Sequence, residues 1–119
     1  MNLTNTYHDT EILGIYRNAK NLNLLFENSM MVLENIEYWE FSPFSEQNII
    51  FKLNHFSIDD VPSYLMEEYP WLLNYCSDKT LKVLEIDSSV GLHGVAVFLD
   101  MKIEPFAYGI GEFGVKNAT

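Results

Sequence analysis

Cysteine is almost missing from this chain, and long apolar runs are missing altogether. Cys76 is the single cysteine, so no disulfide can form within the chain, and such usage is typical of the reducing cytoplasm. The longest apolar runs are about five residues, far short of the roughly 20 that a membrane helix needs. The N-terminus shows no basic region followed by an apolar run, so we expect no secretory signal. These absences predict a cytoplasmic protein that does not enter a membrane.

Basic residues are also scarce. Lysine and arginine together number 7 against 17 acidic residues, which gives a formal net charge of −10. A surface this negative repels nucleic-acid phosphates and anionic lipid head groups, so we expect neither nucleic acid nor membrane as a partner. The same charge would attract a basic protein.

Apolar residues, by contrast, are plentiful. Of the 119 residues, 48% are hydrophobic and 14% are aromatic, which is enough for one compact core. No internal repeat, linker or low-complexity tract interrupts the chain. We therefore predict one domain over residues 1–119.

The clearest local pattern lies in residues 92–104. From Val95 to Ile103 every second residue is apolar, which is typical of a strand, and the first half is apolar on both sides, which places it inside a sheet. Similar short runs recur at about ten-residue intervals, as in an antiparallel meander. They predict strands at 11–16, 22–26, 30–41 (bent near 34–35), 47–56 and 80–87, and the tail 106–119 could form an edge strand or a surface loop. Residues 1–10 are polar and predict a loosely packed start.

One helical segment is predicted, at about 58–75. Apolar residues recur there at three- and four-residue spacing, and Pro70 should kink or divide the segment because it removes a backbone donor. The apolar stripe of this segment consists of Val61, Leu65, Tyr69, Leu72 and Leu73.

The predicted strands and the helical segment together give an α+β fold class: a mainly antiparallel curved sheet or sandwich of about six to seven strands, with the helical segment covering one face or end.

No residue cluster specifies a chemistry. The spacing of His8, His55 and His93 matches no metal-binding motif. Cys76 follows a predicted apolar helix, a position typical of buried structural cysteines. No GxSxG turn is present, and the GxGxxG of residues 109–114 is followed by only five residues, too few for a phosphate-binding helix. We predict no catalytic residue, no metal and no cofactor, hence no enzyme, although the sequence leaves open a role for these histidines or Cys76.

Acidic residues interleaved with large rings are the remaining signal. Such mixtures are typical of protein interfaces, in which aromatic anchors supply binding energy and charges direct the approach. A solvated acidic face is the alternative interpretation, and helix capping also explains Asp59 and Asp60. The predicted partner-binding residues are Glu34, Glu37, Tyr38, Trp39, Glu40, Asp59, Asp60, Glu67 and Glu68, with Tyr38 and Trp39 as anchors.

The small size, the acidity and the Asn/Ile/Phe-rich composition resemble those of bacterial immunity proteins, which neutralise contact-dependent or polymorphic toxins. The segments YHDTEILGIY (7–16) and VLEIDSSVGLHGVAVF (83–98) are similar to segments of small β-rich bacterial proteins. The resemblance is one of overall character and implies no particular contact residue. It implies a cytoplasmic protein that binds a basic toxin domain, most simply a nuclease with a basic cleft.

Two other functions fit the same sequence. One is a small ligand-binding protein or enzyme with a pocket between sheet and helix, lined by groups such as His55, His93 or Glu85 with perturbed titration. The other is a homo-oligomeric interaction module that uses an apolar face of the sheet.

Overall fold

The computed structural model of the protein describes residues 3–44 and 47–105, apart from the side chains of Asn5 and Thr6. The tail considered as an edge strand or loop, with its GxGxxG, lies outside these residues. Two short α-helices, two 3₁₀ helices and six strands follow one another along the chain. They are α1 (Thr4–Tyr7), β1 (Gly14–Asn18), β2 (Asn21–Leu25), β3 (Ser29–Phe41), β4 (Ile49–Ser57), a 3₁₀ turn (Ile58–Asp60), α2 (Ser63–Glu68), a 3₁₀ helix (Pro70–Tyr75), β5 (Lys82–Val90) and β6 (His93–Pro105).

The six strands form one open sheet in the order β1-β2-β3-β6-β5-β4, and every neighbouring pair is antiparallel. The predicted α+β class with a mainly antiparallel sheet is confirmed, and the sheet is single, not split into a sandwich. The predicted bend near residues 34–35 corresponds to Asn35, whose φ is 53°. A positive φ turns the chain sharply, and asparagine tolerates it better than most residues.

β6 lies in the middle of the sheet, between β3 and β5. Its residues from Val95 to Phe98 are all fully buried, as the two-sided apolar pattern predicts. Val95 and Val97 join one hydrophobic cluster, whereas Ala96 and Phe98 join another. Because successive side chains of a strand point to opposite faces, the two clusters lie on opposite faces of the sheet at β6.

The two clusters differ in what covers them. The first is built from the first three strands, one face of β4–β6 and the N-terminal segment, and includes Tyr7, Leu24 and Phe98. The second is smaller and lies between the sheet and the helical segment at 58–75. Its buried members are Ile58, Leu65, Tyr69, Leu72, Leu81, Val83, Val95 and Val97.

Leu3, Thr4 and Tyr7 pack against the sheet, so the prediction of a loosely packed start is wrong at these positions. Tyr7 is only 6% exposed and its ring lies 4.8 Å from that of Phe26. The Thr4 hydroxyl accepts a hydrogen bond from the backbone N–H of Leu53 at 3.0 Å. The N-terminal segment needs few apolar residues to stay in place, because the buried Tyr7 ring and backbone hydrogen bonds to β4 hold it.

Residues 9–13 join the two edges of the sheet. The N–H of Asp9 donates to the carbonyl of Ile50 in β4 at 2.9 Å, and that of Ile12 to the carbonyl of Asn48, just before β4, at 2.8 Å. One residue further on, the Leu13 N–H donates to Leu25 of β2 at 2.7 Å. β1 begins at Gly14, three residues later than predicted, because residues 9–12 bond to β4 and to Asn48 just before it, at the edge on the other side of the sheet, and not to β2.

The helical segment is divided as predicted. Helix α2 ends at Glu68 and a 3₁₀ helix starts at Pro70, because a residue before proline avoids the helical region. Leu65, Tyr69 and Leu72 of the predicted stripe are buried, but Leu73 is 65% exposed, since 3₁₀ geometry rotates it out. Within the described residues, the helices are too short and too polar to cross a membrane.

Gly94 allows β3 and β6 to approach closely. Its φ is 155°, and a Cβ added there would overlap the carbonyl oxygen of Glu40 and lie 2.6 Å from Cδ1 of Phe41. The backbone of β3 therefore occupies the space that any side chain at position 94 would need. Gly14 differs, because a Cβ there would meet only the Leu25 side chain at 3.9 Å.

We therefore expect Gly94→Ala to lower the free energy of unfolding by about 1–3 kcal/mol through steric overlap. Gly14→Ala is the matched control and should leave it unchanged or raise it by less than about 1 kcal/mol. Urea denaturation followed by tryptophan fluorescence measures both. Equal stability of Gly94→Ala and the unmodified protein would show that β3 can move away from this glycine.

Candidate functional site

An acidic and aromatic surface forms where the 3₁₀ helix Pro70–Tyr75 lies over β3. The indole N–H of Trp71 donates a 2.7 Å hydrogen bond to Oε1 of Glu40. The Trp71 ring meets Tyr38 edge-on with 4.7 Å between centroids, and Tyr69 and Tyr75 lie at 6.2 and 6.1 Å. These five residues are called the Trp71 surface below. Edge-to-face packing of this kind holds each ring in place.

A bulge in β3 decides which rings belong to this surface. Ile36 pairs with Phe98 but Tyr38 pairs with Val97, so Glu37 is an extra residue with no counterpart on β6. An extra residue reverses the alternation of side chains beyond it. Tyr38 consequently faces the helical segment.

Trp39 consequently faces the opposite side of the sheet. It packs against the first cluster, and the guanidinium carbon of Arg17 lies 5.7 Å from its ring centroid. Of the two predicted anchors, only Tyr38, which is 47% exposed, lies on the Trp71 surface.

A polar cavity of about 270 Å³ adjoins this surface, between α2 and the sheet. Glu85 on β5 lines it and is only 6% exposed. Its Oε1 accepts hydrogen bonds from the Tyr64 hydroxyl at 2.7 Å and from Nδ2 of Asn54 at 3.0 Å, while Nζ of Lys52 lies 3.9 Å from Oε2. Such partners are what a buried carboxylate requires. We call this space the Glu85 cavity; its other charged or titratable lining residues are Glu68, Tyr69, Asp87 and His93.

Electrostatics connect the cavity to the Trp71 surface through Tyr69, which belongs to both. Burial, with the negative charges of Glu68 and Glu40 next, raises the pKa of Tyr69 to about 12. Burial also raises the pKa of Tyr64, and its hydrogen bond to Glu85 adds to the effect. Both tyrosines thus lie in a region where negative charge accumulates. The two features form one continuous acidic region.

The structure brings together only some of the predicted partner-binding residues. Tyr38, Glu40 and Glu68 meet at the Trp71 surface and the Glu85 cavity. Asp59 lies 2.8 Å from Nζ of Lys79, and Glu34 lies 3.6 Å from Nζ of Lys102, which also pairs with Glu104 at 3.2 Å. Both predicted acids are therefore paired with a lysine. The three other predicted acids, Glu37, Asp60 and Glu67, are exposed.

The histidines are dispersed. His8 pairs with Asp9 at the surface at 3.3 Å, and His55 stacks on Phe98 with 5.9 Å between ring centroids. Burial lowers the pKa of His55. Only His93 lines the Glu85 cavity. Among the described residues, no three His, Cys, Asp or Glu side chains converge in a way that could hold a metal ion.

Sequence reasoning named Glu85 and His93 as possible pocket residues but missed Lys52, Tyr64 and Asp87. A signal was present in the alternation of the paired strands. Lys52 and Asn54 on β4 interrupt an apolar run at every second position, as do Glu85 and Asp87 on β5. Because Lys52 pairs with Asp87 and Asn54 with Glu85, these polar positions share one face of the sheet.

A wider cleft of about 560 Å³ lies near the turn between β2 and β3. Its carboxylates are those of Asp9, Glu11 and Glu27, and all three remain at least partly exposed. It offers no buried charged group to orient a ligand. The Glu85 cavity is the better-organised polar site despite its smaller volume.

We found no match to the chain among protein-family models, curated proteins or solved structures. The site therefore has to be interpreted from its own chemistry. Fold and site together define an α+β domain that displays rings and carboxylates beside a buried glutamate.

We expect the raised pKa of Tyr69 to make stability fall at alkaline pH. Below pH 10, Tyr69 is protonated in both the folded and the unfolded state, and its packing contributes fully to stability. As the pH rises from 10 to about 12, Tyr69 loses its proton first in the unfolded chain, and this contribution is lost. Urea denaturation over this range should show a smaller decrease for Tyr69→Phe than for Tyr16→Phe, the matched exposed control. Identical pH profiles of the two variants would contradict a contribution from Tyr69.

Proposed function

We propose that this chain is a cytoplasmic immunity protein that binds and neutralises a basic toxin domain, most simply a nuclease. The observation that carries the proposal is the Trp71 surface with its adjoining carboxylates: the exposed Tyr38 ring is held edge-on by the partly buried Trp71, and Glu40 and Glu68 border them. The resemblance in overall character to bacterial immunity proteins supports the same function. The protein acts by binding and catalyses no reaction.

The net negative charge of the protein speeds its encounter with a basic partner. The net charge of −10 gives the molecule a field that accelerates the encounter with a basic protein, and association of such pairs can reach about 10⁸–10⁹ M⁻¹s⁻¹ at low salt. A nuclease must bind phosphates and therefore carries a basic cleft. An acidic inhibitor that covers this cleft excludes the nucleic acid by occupying the groups that would bind it.

The aromatic rings of the Trp71 surface supply the affinity for the partner. Hot spots of protein interfaces are enriched in tryptophan and tyrosine and lie near the centre of the contact. Tyr38 is held by Trp71 and is exposed, so it loses little conformational freedom on binding. Glu40 accepts the indole N–H, which fixes its carboxylate at the edge of the rings.

A small-molecule site is the second candidate, favoured by the Glu85 cavity alone. Its volume of about 270 Å³ is just below the range of about 300–1,000 Å³ typical of small-molecule sites. A compact ligand or one protein side chain fits this space better than a nucleotide-sized cofactor does.

The test of the proposed function is protection in cells. We expect co-expression of this chain to restore growth to cells that produce the C-terminal domain of a large secreted protein encoded directly upstream of its gene. A surface-disrupting variant, Tyr38→Ala with Trp71→Ala, should protect less at equal abundance. Failure of the unmodified protein to protect or to bind that domain would contradict the proposal.

The steering role of the carboxylates predicts a local charge effect. The double variant Glu40→Gln and Glu68→Gln should lower the association rate constant about three- to tenfold at low salt and reduce its salt dependence. Glu34→Gln with Asp59→Asn removes the same net charge from acids that already pair with lysines, and should change the rate less than about twofold. Stopped-flow mixing with the toxin domain over a range of ionic strength separates the two. Equal effects of both variants would show that overall charge, not this surface, directs binding.

A further inference from the structure

The geometry points to an arginine side chain of the partner as the occupant of the Glu85 cavity. This inference rests on the proposed function, because it assigns one residue type of the bound protein to one place next to the Trp71 surface.

Glu85 has one carboxylate oxygen fully used and one available. Oε1 accepts hydrogen bonds from Tyr64 and Asn54, whereas the nearest cationic donor to Oε2 among the described residues, Nζ of Lys52, lies 3.9 Å away. That distance is too long for a hydrogen bond. Oε2 therefore keeps acceptor capacity on the cavity side, and a cationic donor that entered the cavity would gain a strong, charge-assisted bond there.

The charges around the cavity favour a cation. Three carboxylates, those of Glu68, Glu85 and Asp87, line it together with a single ammonium group, that of Lys52. Nζ of Lys52 already lies 5.2 Å from the centroid of the Tyr64 ring. The chain's own lysine thus shows that a cation is accommodated between a carboxylate and an aromatic face here.

The shape favours arginine over lysine. A guanidinium is planar, carries five donors in a fixed arrangement and stacks on aromatic rings, so it can bind several carboxylates while contacting Tyr64 or Tyr69. The volume of about 270 Å³ suits one long side chain.

The position links the cavity to the proposed interface. Tyr69 lines the cavity and also lies beside Trp71. A partner that packs on Tyr38 and Trp71 therefore has the cavity within reach of a neighbouring long side chain. Buried ion pairs of this kind fix the orientation of a complex as well as adding affinity.

The experiment titrates the protein with a blocked glycine–arginine–glycine tripeptide, followed by amide chemical shifts. We expect the shifts to concentrate around Glu85, Asp87 and Tyr64, and the corresponding citrulline peptide, which is neutral and similar in shape, to bind at least about tenfold more weakly. Glu85→Gln should weaken arginine-peptide binding about tenfold, whereas the exposed control Asp59→Asn should leave it unchanged. Asp87→Asn is the second variant, should Glu85→Gln fail to fold.

Lys52 gives an independent readout. Lys52→Met removes the internal cation, so the arginine peptide should bind a few-fold more tightly. Weaker binding of the arginine peptide would show that Lys52 does not compete with the guanidinium for these carboxylates, and would overturn the inference. Equal binding of the citrulline and arginine peptides would also overturn it, as would tighter binding of a blocked glycine–lysine–glycine peptide. A clear preference for free arginine over the arginine peptide would indicate a metabolite site and would overturn it too.

The outcomes also distinguish this inference from the proposed function. If the toxin domain binds and is neutralised but Glu85→Gln and Asp87→Asn leave its affinity unchanged, the arginine inference fails and the proposed function stands. If the arginine peptide occupies the cavity but no toxin domain binds, the proposed function fails and the assignment to a toxin partner fails with it.

Discussion

The central constraint of this fold is the position of β6, which is hydrogen-bonded to β3 on one side and β5 on the other. Its residues from Val95 to Phe98 are apolar on both faces, so each face must be covered. The N-terminal segment and the first three strands cover one face, and the helical segment covers the other. Gly94 at the start of β6 brings β3 so close that Glu40 and Phe41 lie beside it. The core and the site therefore depend on the same pairing.

The face covered by the helical segment is the one that carries the candidate function. Pro70 divides that segment, so the 3₁₀ helix after it turns Trp71 toward β3 and leaves a cavity beneath α2. Burying Glu85 there carries a desolvation cost, which its bonds to Tyr64 and Asn54 partly offset. An apolar residue at position 85 would pack more simply. In the proposed function, this buried charge serves to bind the partner.

Much of the architecture could be predicted from local patterns. All six strands of the described residues agree with the predicted strands to within three positions at each end, and Pro70 ended α2 for a purely local reason. The N-terminus could not be predicted in this way, because Tyr7 is buried through a contact with Phe26 and residues 9–13 bond to β4. The exposure of Leu73 likewise followed from 3₁₀ geometry, which the three- and four-residue spacing of apolar residues does not distinguish from an α-helix.

The amino-acid sequence by itself determined the class of fold, the net charge and the richness in rings and carboxylates, because these follow from composition and from the spacing of neighbouring residues. Which of those groups meet was decided only by the tertiary structure. The bulge at Glu37 turned Tyr38 toward Trp71 and Trp39 away from it, and strand pairing set Lys52 and Asn54 opposite Asp87 and Glu85. A one-residue shift in pairing exchanges the two faces of a strand, and pairing between distant segments depends on the whole chain.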